Sequence, residues 1–147
     1  MTTRGGQLRR VGVVMVGHGR CASALLSAAR PIVGDALDDV TCVDAGEGQT
    51  PDLAPRLCEA LTQADSGAGV VIVVDLLGAS PCNCALKEGF GHQFAVVSGM
   101  NLAMMLKLAA LRGQGCRPAE IAAACADAGQ RSIVIRDGKQ DHEQKAD

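Results

Sequence analysis

The segment Gly69-Val70-Val71-Ile72-Val73-Val74-Asp75 constrains the fold more than any other stretch of the chain. Its interior positions are all β-branched and apolar, without the polar alternation of a strand that has one wet face. Such a strand must be covered on both faces, which places it at the centre of a sheet layered by helices, the usual setting of parallel strands. Val11-Gly12-Val13-Val14-Met15-Val16 reads the same way, and shorter patterns at Asp39 to Asp44, Gln93 to Ser98 and Arg131 to Arg136 also predict strands.

Helical patterns fill the intervals. Thr50-Pro51-Asp52 offers an N-cap, a proline at the first helical position and an acid in the first turn; Ser80-Pro81 repeats the cap and proline, and Arg117-Pro118-Ala119-Glu120 is a weaker version. The first helix turns Ala22, Leu25, Leu26 and Ala29 inward, while Pro31 disfavours the helical state of Arg30 and leaves the last turn open. A helix over Asn101 to Leu111 is followed by a break at Gly113 and Gly115 and a further helix over Ala119 to Ala128. The Met104-Met105 pair lies at core spacing on the first of these.

This alternation predicts an α/β fold, a doubly wound and mostly parallel sheet with helices on both faces. Right-handed crossovers with a flavodoxin-like order 2-1-3-4 put the first and third strands side by side. At 147 residues the chain reads as one domain, 1–147, with a core over about 11–136 and loose polar ends at 1–8 and 137–147.

Composition removes several function classes. With no Trp, no Tyr, two Phe and a formal net charge of −2, the chain lacks both the stacking platform and the basic stripe of a nucleic-acid binder. Seven cysteines, an odd number spread through predicted helices and strands, read as reduced thiols of a cytoplasmic protein rather than as disulfide staples. No apolar run approaches the roughly 20 residues that span a bilayer, and Gly17-His18-Gly19-Arg20 ends the one run that imitates a signal peptide.

The same Gly-His-Gly step carries the chemistry. His18 emerges where the first strand ends, on the side of the sheet where open α/β folds bind ligands, and flanking glycines keep the ring open. In the order 2-1-3-4 Asp75, at the end of the third strand, faces it across the crevice. A carboxylate on Nδ1–H would fix the tautomer and free Nε2 as nucleophile; alternatively Asp75 simply forms the turn after its strand. Leu77-Gly78-Ala79-Ser80-Pro81 then leads into a helix N-terminus, a place suited to phosphoryl oxygens as well as an ordinary capped helix start. Neither nucleotide-binding glycine motif is present, which favours phosphoryl transfer between histidines over ATP chemistry.

Three stretches resemble one family. Val13 to Gly34, with Gly17-His18-Gly19, is similar to the first segment of enzyme IIA of the mannose family in the bacterial phosphoenolpyruvate:sugar phosphotransferase system. Asp75-Leu76-Leu77-Gly78-Ala79-Ser80-Pro81-Cys82-Asn83 resembles that family's Asp-Leu-Phe-Gly-Gly-Ser-Pro-Phe-Asn, and Ser98-Gly99-Met100-Asn101-Leu102-Ala103-Met104-Met105-Leu106 its Gly-Val-Asn-Leu-Pro-Met-Leu. The resemblance implies a phosphocarrier that uses neither cofactor nor metal. His18 would take a phosphoryl group from the phosphohistidine of the small carrier protein and pass it to a IIB component, or report phosphorylation state to a regulatory target. Asp75 would orient the ring, and Gly19, Ala79 and Ser80 would hold the phosphoryl group. It also implies a homodimer, with Arg131 to Arg136 as a C-terminal antiparallel edge strand at the interface. Gly17, Ala79, Cys82 and Ala103 depart from the family's usual Thr, Gly, aromatic and Pro.

Other classes remain in view. Gly-His-Gly after a first strand also resembles the tetrapyrrole metal chelatases, but the other histidines, His92 and His142, stand before the fourth strand and in the tail. His18, Cys21, Cys82 and Cys84 could meet as a zinc module, although Cys82-Asn83-Cys84 lacks knuckle spacing and Cys21 is expected to turn into the first helix. A non-catalytic interaction domain would keep the fold and its partners without His18.

Overall fold

The computed structural model describes residues 9–46, 51–78 and 80–138, Ser80 through its backbone. Strands β1 (Gly12–Gly17), β2 (Thr41–Asp44), β3 (Val70–Val74) and β4 (Phe94–Ser98) alternate with helices α1 (Cys21–Val33), α2 (Leu53–Ala64) and α3 (Ser80–Glu88). Helices α4 (Leu102–Leu111) and α5 (Pro118–Arg131) follow β4. The four strands form one parallel sheet in the order β2-β1-β3-β4, as the sequence predicts.

The two apolar runs are central because both of their faces are buried. Val13 and Met15 of β1, with Val71 and Val73 of β3, pack against Leu26 of α1, Met104, Met105 and Leu108 of α4, and Ile121 of α5. Val14, Val16, Val70, Ile72 and Val74 point the other way, into Leu57 and Leu61 of α2 and Cys82 and Ala85 of α3. Each such side chain contributes about 1.5–3 kcal/mol on leaving water, so the sheet order is fixed by where these two strands can be covered. At Gly12 the end of α2 comes so near that a Cβ would lie 2.2 Å from the Ala64 carbonyl oxygen, which only glycine permits.

Several boundaries differ from expectation. Helix α1 runs through Pro31 to Val33, since a proline this close to the end costs only one internal bond, and Gly34 closes the helix at φ +67° with its N–H on the Arg30 carbonyl. A 3-10 turn over Gly34–Leu37, not foreseen from the sequence, buries Leu37. Helix α2 starts at Leu53 rather than at Pro51, and Asp52 caps it with no side-chain bond; Thr50 lies outside the described residues. Helix α5 extends past Ala128 because Gly129 lies against α4, where a Cβ would come 2.7 Å from Met104 Cγ.

The antiparallel edge strand expected at Arg131 to Arg136 is absent. Arg131 is the last residue of α5, Ser132 closes the helix on the Ala128 and Gly129 carbonyls, and residues 133–137 form no ladder with any described strand of the chain. A strand needs a hydrogen-bonded neighbour, and among the described residues none pairs with this segment. Ile133, Val134 and Ile135 are left exposed.

Arg112 is the largest fully buried side chain, and nothing in the sequence pattern marked it. Its guanidinium donates to the Val11 carbonyl through Nε and Nη2, to the Ala36 carbonyl, and to both oxygens of Asp39, Nη2 to Oδ2 at 2.8 Å. It thus ties the end of α4 to the start of β1 and the lead into β2. Burial pushes the Asp39 carboxyl up, but the Arg112 hydrogen bond and charge outweigh it and hold the group below its ordinary value.

Candidate functional site

Strands β1 and β3 end side by side, Val16 opposite Val74, so their carboxyl-end loops must share one crevice. His18 enters it from β1 and Asp75 from β3. Asp75 Oδ2 accepts from the His18 backbone N–H at 2.7 Å and lies 2.9 Å from His18 Nδ1, while Oδ1 accepts from the Leu76 N–H at 2.8 Å. Burial pushes the Asp75 carboxyl up, yet the His18 N–H, the His18 ring and the Leu76 N–H together hold it below its ordinary 3.8. It is therefore ionised at neutral pH and can only accept, so Nδ1 presents a hydrogen to it, and in the neutral ring the lone pair lies on Nε2. The His18 side chain is 50% exposed and that of Asp75 13%, so the ring stands half in solvent and its anchor mostly inside.

Gly17 lets this happen. A Cβ there would lie 3.1 Å from Cys21 Cβ and 3.4 Å from Asp75 Oδ2, so the bare backbone gives the carboxylate and the first turn of α1 their room. On the far side, β2 grips the loop: the Ala45 N–H donates to the Gly17 carbonyl at 2.8 Å and the Gly19 N–H to the Gly46 carbonyl at 2.9 Å. Gly19 adopts φ +52° with open space where a side chain would stand. Its amide is already engaged, so Gly19 offers clearance rather than a spare donor.

Of the other predicted residues, Ala79 lies outside the described residues, and Ser80 opens α3 just beyond the Asp75 loop. The Asp75–His18 juxtaposition is the part that sequence reasoning brought together correctly. It missed the exposure of Leu76 and Leu77, 61% and 76%, which makes the rim of the crevice apolar. The signal was present as a Leu-Leu step after a strand-end acid.

The components of a zinc module do not assemble. Cys82 is fully buried on the inner face of α3, Cys84 is half-buried, and Cys21 is exposed at the start of α1, where Ala22 takes the inward position instead. Among the described residues no three His, Cys, Asp or Glu side chains gather in a way that could hold a metal ion. His92, which a chelatase-like site would need beside His18, lies at the other end of the sheet, paired with Asp65.

Comparison with known proteins agrees with this geometry. Residues 12–125 match the model of a family described as the fructose IIA component of the phosphotransferase system, the mannose-type IIA family. The chain belongs to this family. It is 32% identical over 104 residues to YadI of Escherichia coli K12, named as a phosphotransferase enzyme IIA component, covering 69% of this chain and 70% of YadI. The mannose/sorbose-specific IIA subunit from Enterococcus faecalis superimposes with a TM-score of 0.73 at 27% identity, over 88% of this chain and 96% of that one. The IIA protein associated with the fucose utilization operon of Streptococcus pneumoniae shares the fold, with a TM-score of 0.73 at 23% identity over 94% and 97%. This IIA component is thus a member of a phosphotransferase system, and none of its described helices is long and apolar enough to cross a membrane.

Proposed function

We propose that this IIA component is a cytoplasmic phosphocarrier in which His18 Nε2 accepts a phosphoryl group. The donor would be the phosphohistidine of the small carrier protein, the recipient a IIB component or a regulatory target. The supporting observation is the His18–Asp75 pair, with Nδ1 2.9 Å from an ionised carboxylate and the His18 side chain half exposed. The Nε2 lone pair forms the new P–N bond as the bond to the donor's imidazole breaks, and that electron pair returns to the donor ring. The Nδ1 hydrogen stays on His18, and Asp75 stabilises the positive charge that the ring gains. Gly19 leaves clearance for the phosphoryl group, while Ser80, which opens α3, and Ala79, the residue before it in sequence, would supply donors to its oxygens. The exposed Leu76 and Leu77 give the crevice an apolar rim suited to a protein partner rather than a free sugar.

Incubation with phosphoenolpyruvate, the first enzyme of the system and the carrier protein tests this reading. Acid-labile, base-stable phosphate on His18 is the expected product, and no incorporation overturns the proposal.

Assembly belongs to the same proposal. Ile133, Val134 and Ile135, exposed and without a ladder partner among the described strands, would pair with a second copy in a homodimer, which removes an open apolar edge. Sedimentation of the full chain at micromolar concentration should give a dimer, and deletion from Arg131 onward a monomer or aggregate. A full-length monomer would defeat the dimer and leave the carrier reading standing.

A further inference from the structure

Helix α1 begins three residues after His18 but brings no cap of its own: Arg20, at the N-cap position, makes no side-chain bond to the helix. The missing acceptor arrives from the neighbouring strand. Asp44, the last residue of β2, accepts from the Ser23 backbone N–H at 3.2 Å through Oδ1 and from the Ser23 hydroxyl at 2.5 Å through Oδ2. Its own carbonyl accepts from Arg56 Nη2 at 2.9 Å, which ties the same residue to α2.

Register explains why this acid and no other reaches α1. Gly17 pairs with Asp44 on one side, and on the other the step after Val16–Val74 places Asp75 beside it. Asp44, Gly17 and Asp75 therefore stand in one row across the end of the sheet, on the face covered by α1. Gly17 has no side chain, so the two acids flank an empty position. Asp75 takes the residue after it, His18, and Asp44 takes the helix that follows.

The His18 segment is thus held at both ends. Asp75 fixes the ring, the Cys21 N–H donates to the His18 carbonyl at 3.0 Å, and the turn that supplies this N–H is docked on Asp44 through Ser23. From this row we infer that Asp44 is a positioning residue for phosphoryl acceptance: by capping α1 from β2 it fixes the backbone from which His18 projects. The inference rests on the phosphocarrier reading for its catalytic readout but carries a structural one that is independent of it.

The test compares Asp44→Ala, which loses both bonds, with Asp44→Asn, whose amide oxygen still accepts from the Ser23 N–H and whose amide can donate to its hydroxyl oxygen. Phosphoryl acceptance from the phosphorylated carrier protein is measured for kcat and KM, and His18 ring proton and nitrogen resonances are recorded on the unphosphorylated chain. Asp44→Ala should lower kcat by about tenfold or more, as expected for a displaced reacting group, with KM for the carrier within about twofold. It should also weaken the Nδ1–H resonance through faster exchange, and Asp44→Asn should restore most of both. Ser23→Ala, which keeps the backbone bond and removes only the hydroxyl, should fall between them and replaces Asp44→Ala if that variant does not fold. A folded Asp44→Ala with wild-type kcat and an unchanged His18 resonance overturns the inference, as does equal slowing by Asn and Ala. If the wild type takes up no phosphate at all, the carrier reading fails by itself, and the resonance comparison still decides the role of Asp44.

Discussion

Among the described residues are two His–Asp pairs of the same bond length at opposite ends of one sheet. At the carboxyl end, His18 Nδ1 lies 2.9 Å from Asp75; at the amino end, His92 Nδ1 lies 2.9 Å from Asp65. What separates them is the surroundings. Asp65 spends its second oxygen on the Gly67 and Gly69 N–H groups, closing the turn that leads into β3, and His92 joins it from the approach to β4. Its ring is 22% exposed, against 50% for His18. Asp75 instead takes the backbone N–H of the very histidine whose ring it orients. One pair stitches two loops together and hides its ring, while the other aims a ring outward. The bond itself does not distinguish a site from a stitch; exposure and the carboxylate's remaining partners do.

The sharpest way to break this contrast is to exchange the histidines' fates. His18→Ala should abolish phosphate incorporation, whereas His92→Gln should keep it within about twofold, since the introduced carboxamide can still donate to Asp65. Incorporation surviving at His92 in the first variant would mean that the two ends share the chemistry. Asp75→Ala comes next. It should slow acceptance by about 10²- to 10⁴-fold with the fold intact, as loss of an orienting acid does elsewhere; unchanged transfer kinetics would reduce Asp75 to a turn-former. Asp65→Ala should do the opposite, leaving transfer rates alone but lowering stability by about 1–3 kcal/mol in a denaturant titration, because the Gly67 N–H and the part-buried Gly69 N–H lose a charged acceptor.

The smallest effect is acid sensitivity. At both aspartates burial raises the carboxyl, and hydrogen bonds outweigh it to hold the group below 3.8: the His18 N–H first at Asp75, the His92 ring first at Asp65. A carboxyl depressed by folding stabilises the folded state fully above its unfolded value and loses that contribution as pH falls through its folded value. Stability should therefore decline as pH drops from about 3.8 downward, and Asp65→Asn should flatten that decline without changing the neutral-pH transfer rate. A variant with the wild-type acid limb would show that Asp65 is not depressed by its partners.

What could be read in the sequence was what is written locally. The β3 run announces its double burial residue by residue, and once β1 and β3 are adjacent, His18 and Asp75 can only meet. Arg112 and Asp39 were invisible because their pairing joins positions far apart in the chain, and no short pattern signals a buried guanidinium. Asp44 looked like the end of a strand; its role appears only when register sets it beside Gly17. Arg131 to Arg136 shows the reverse error, a strand-like pattern that finds no ladder among the described residues. The Leu77-Gly78-Ala79-Ser80-Pro81 loop stood out as a motif in the sequence; of its residues Ala79 lies outside the described ones, and Ser80 is described through its backbone.

One oxygen of Asp75 holds both the amide and the ring of His18, which bears on how long two proteins need stay together. A histidine that swings freely must lose rotamer freedom during the encounter, at about 0.5–1.5 kcal/mol for an immobilised side chain. Here that loss is met during folding. In the proposed phosphocarrier a partner would then find the imidazole already aimed, and a brief, weak contact would be enough for transfer. Low residence time is what a relay needs, because a carrier that grips its donor cannot reach its acceptor.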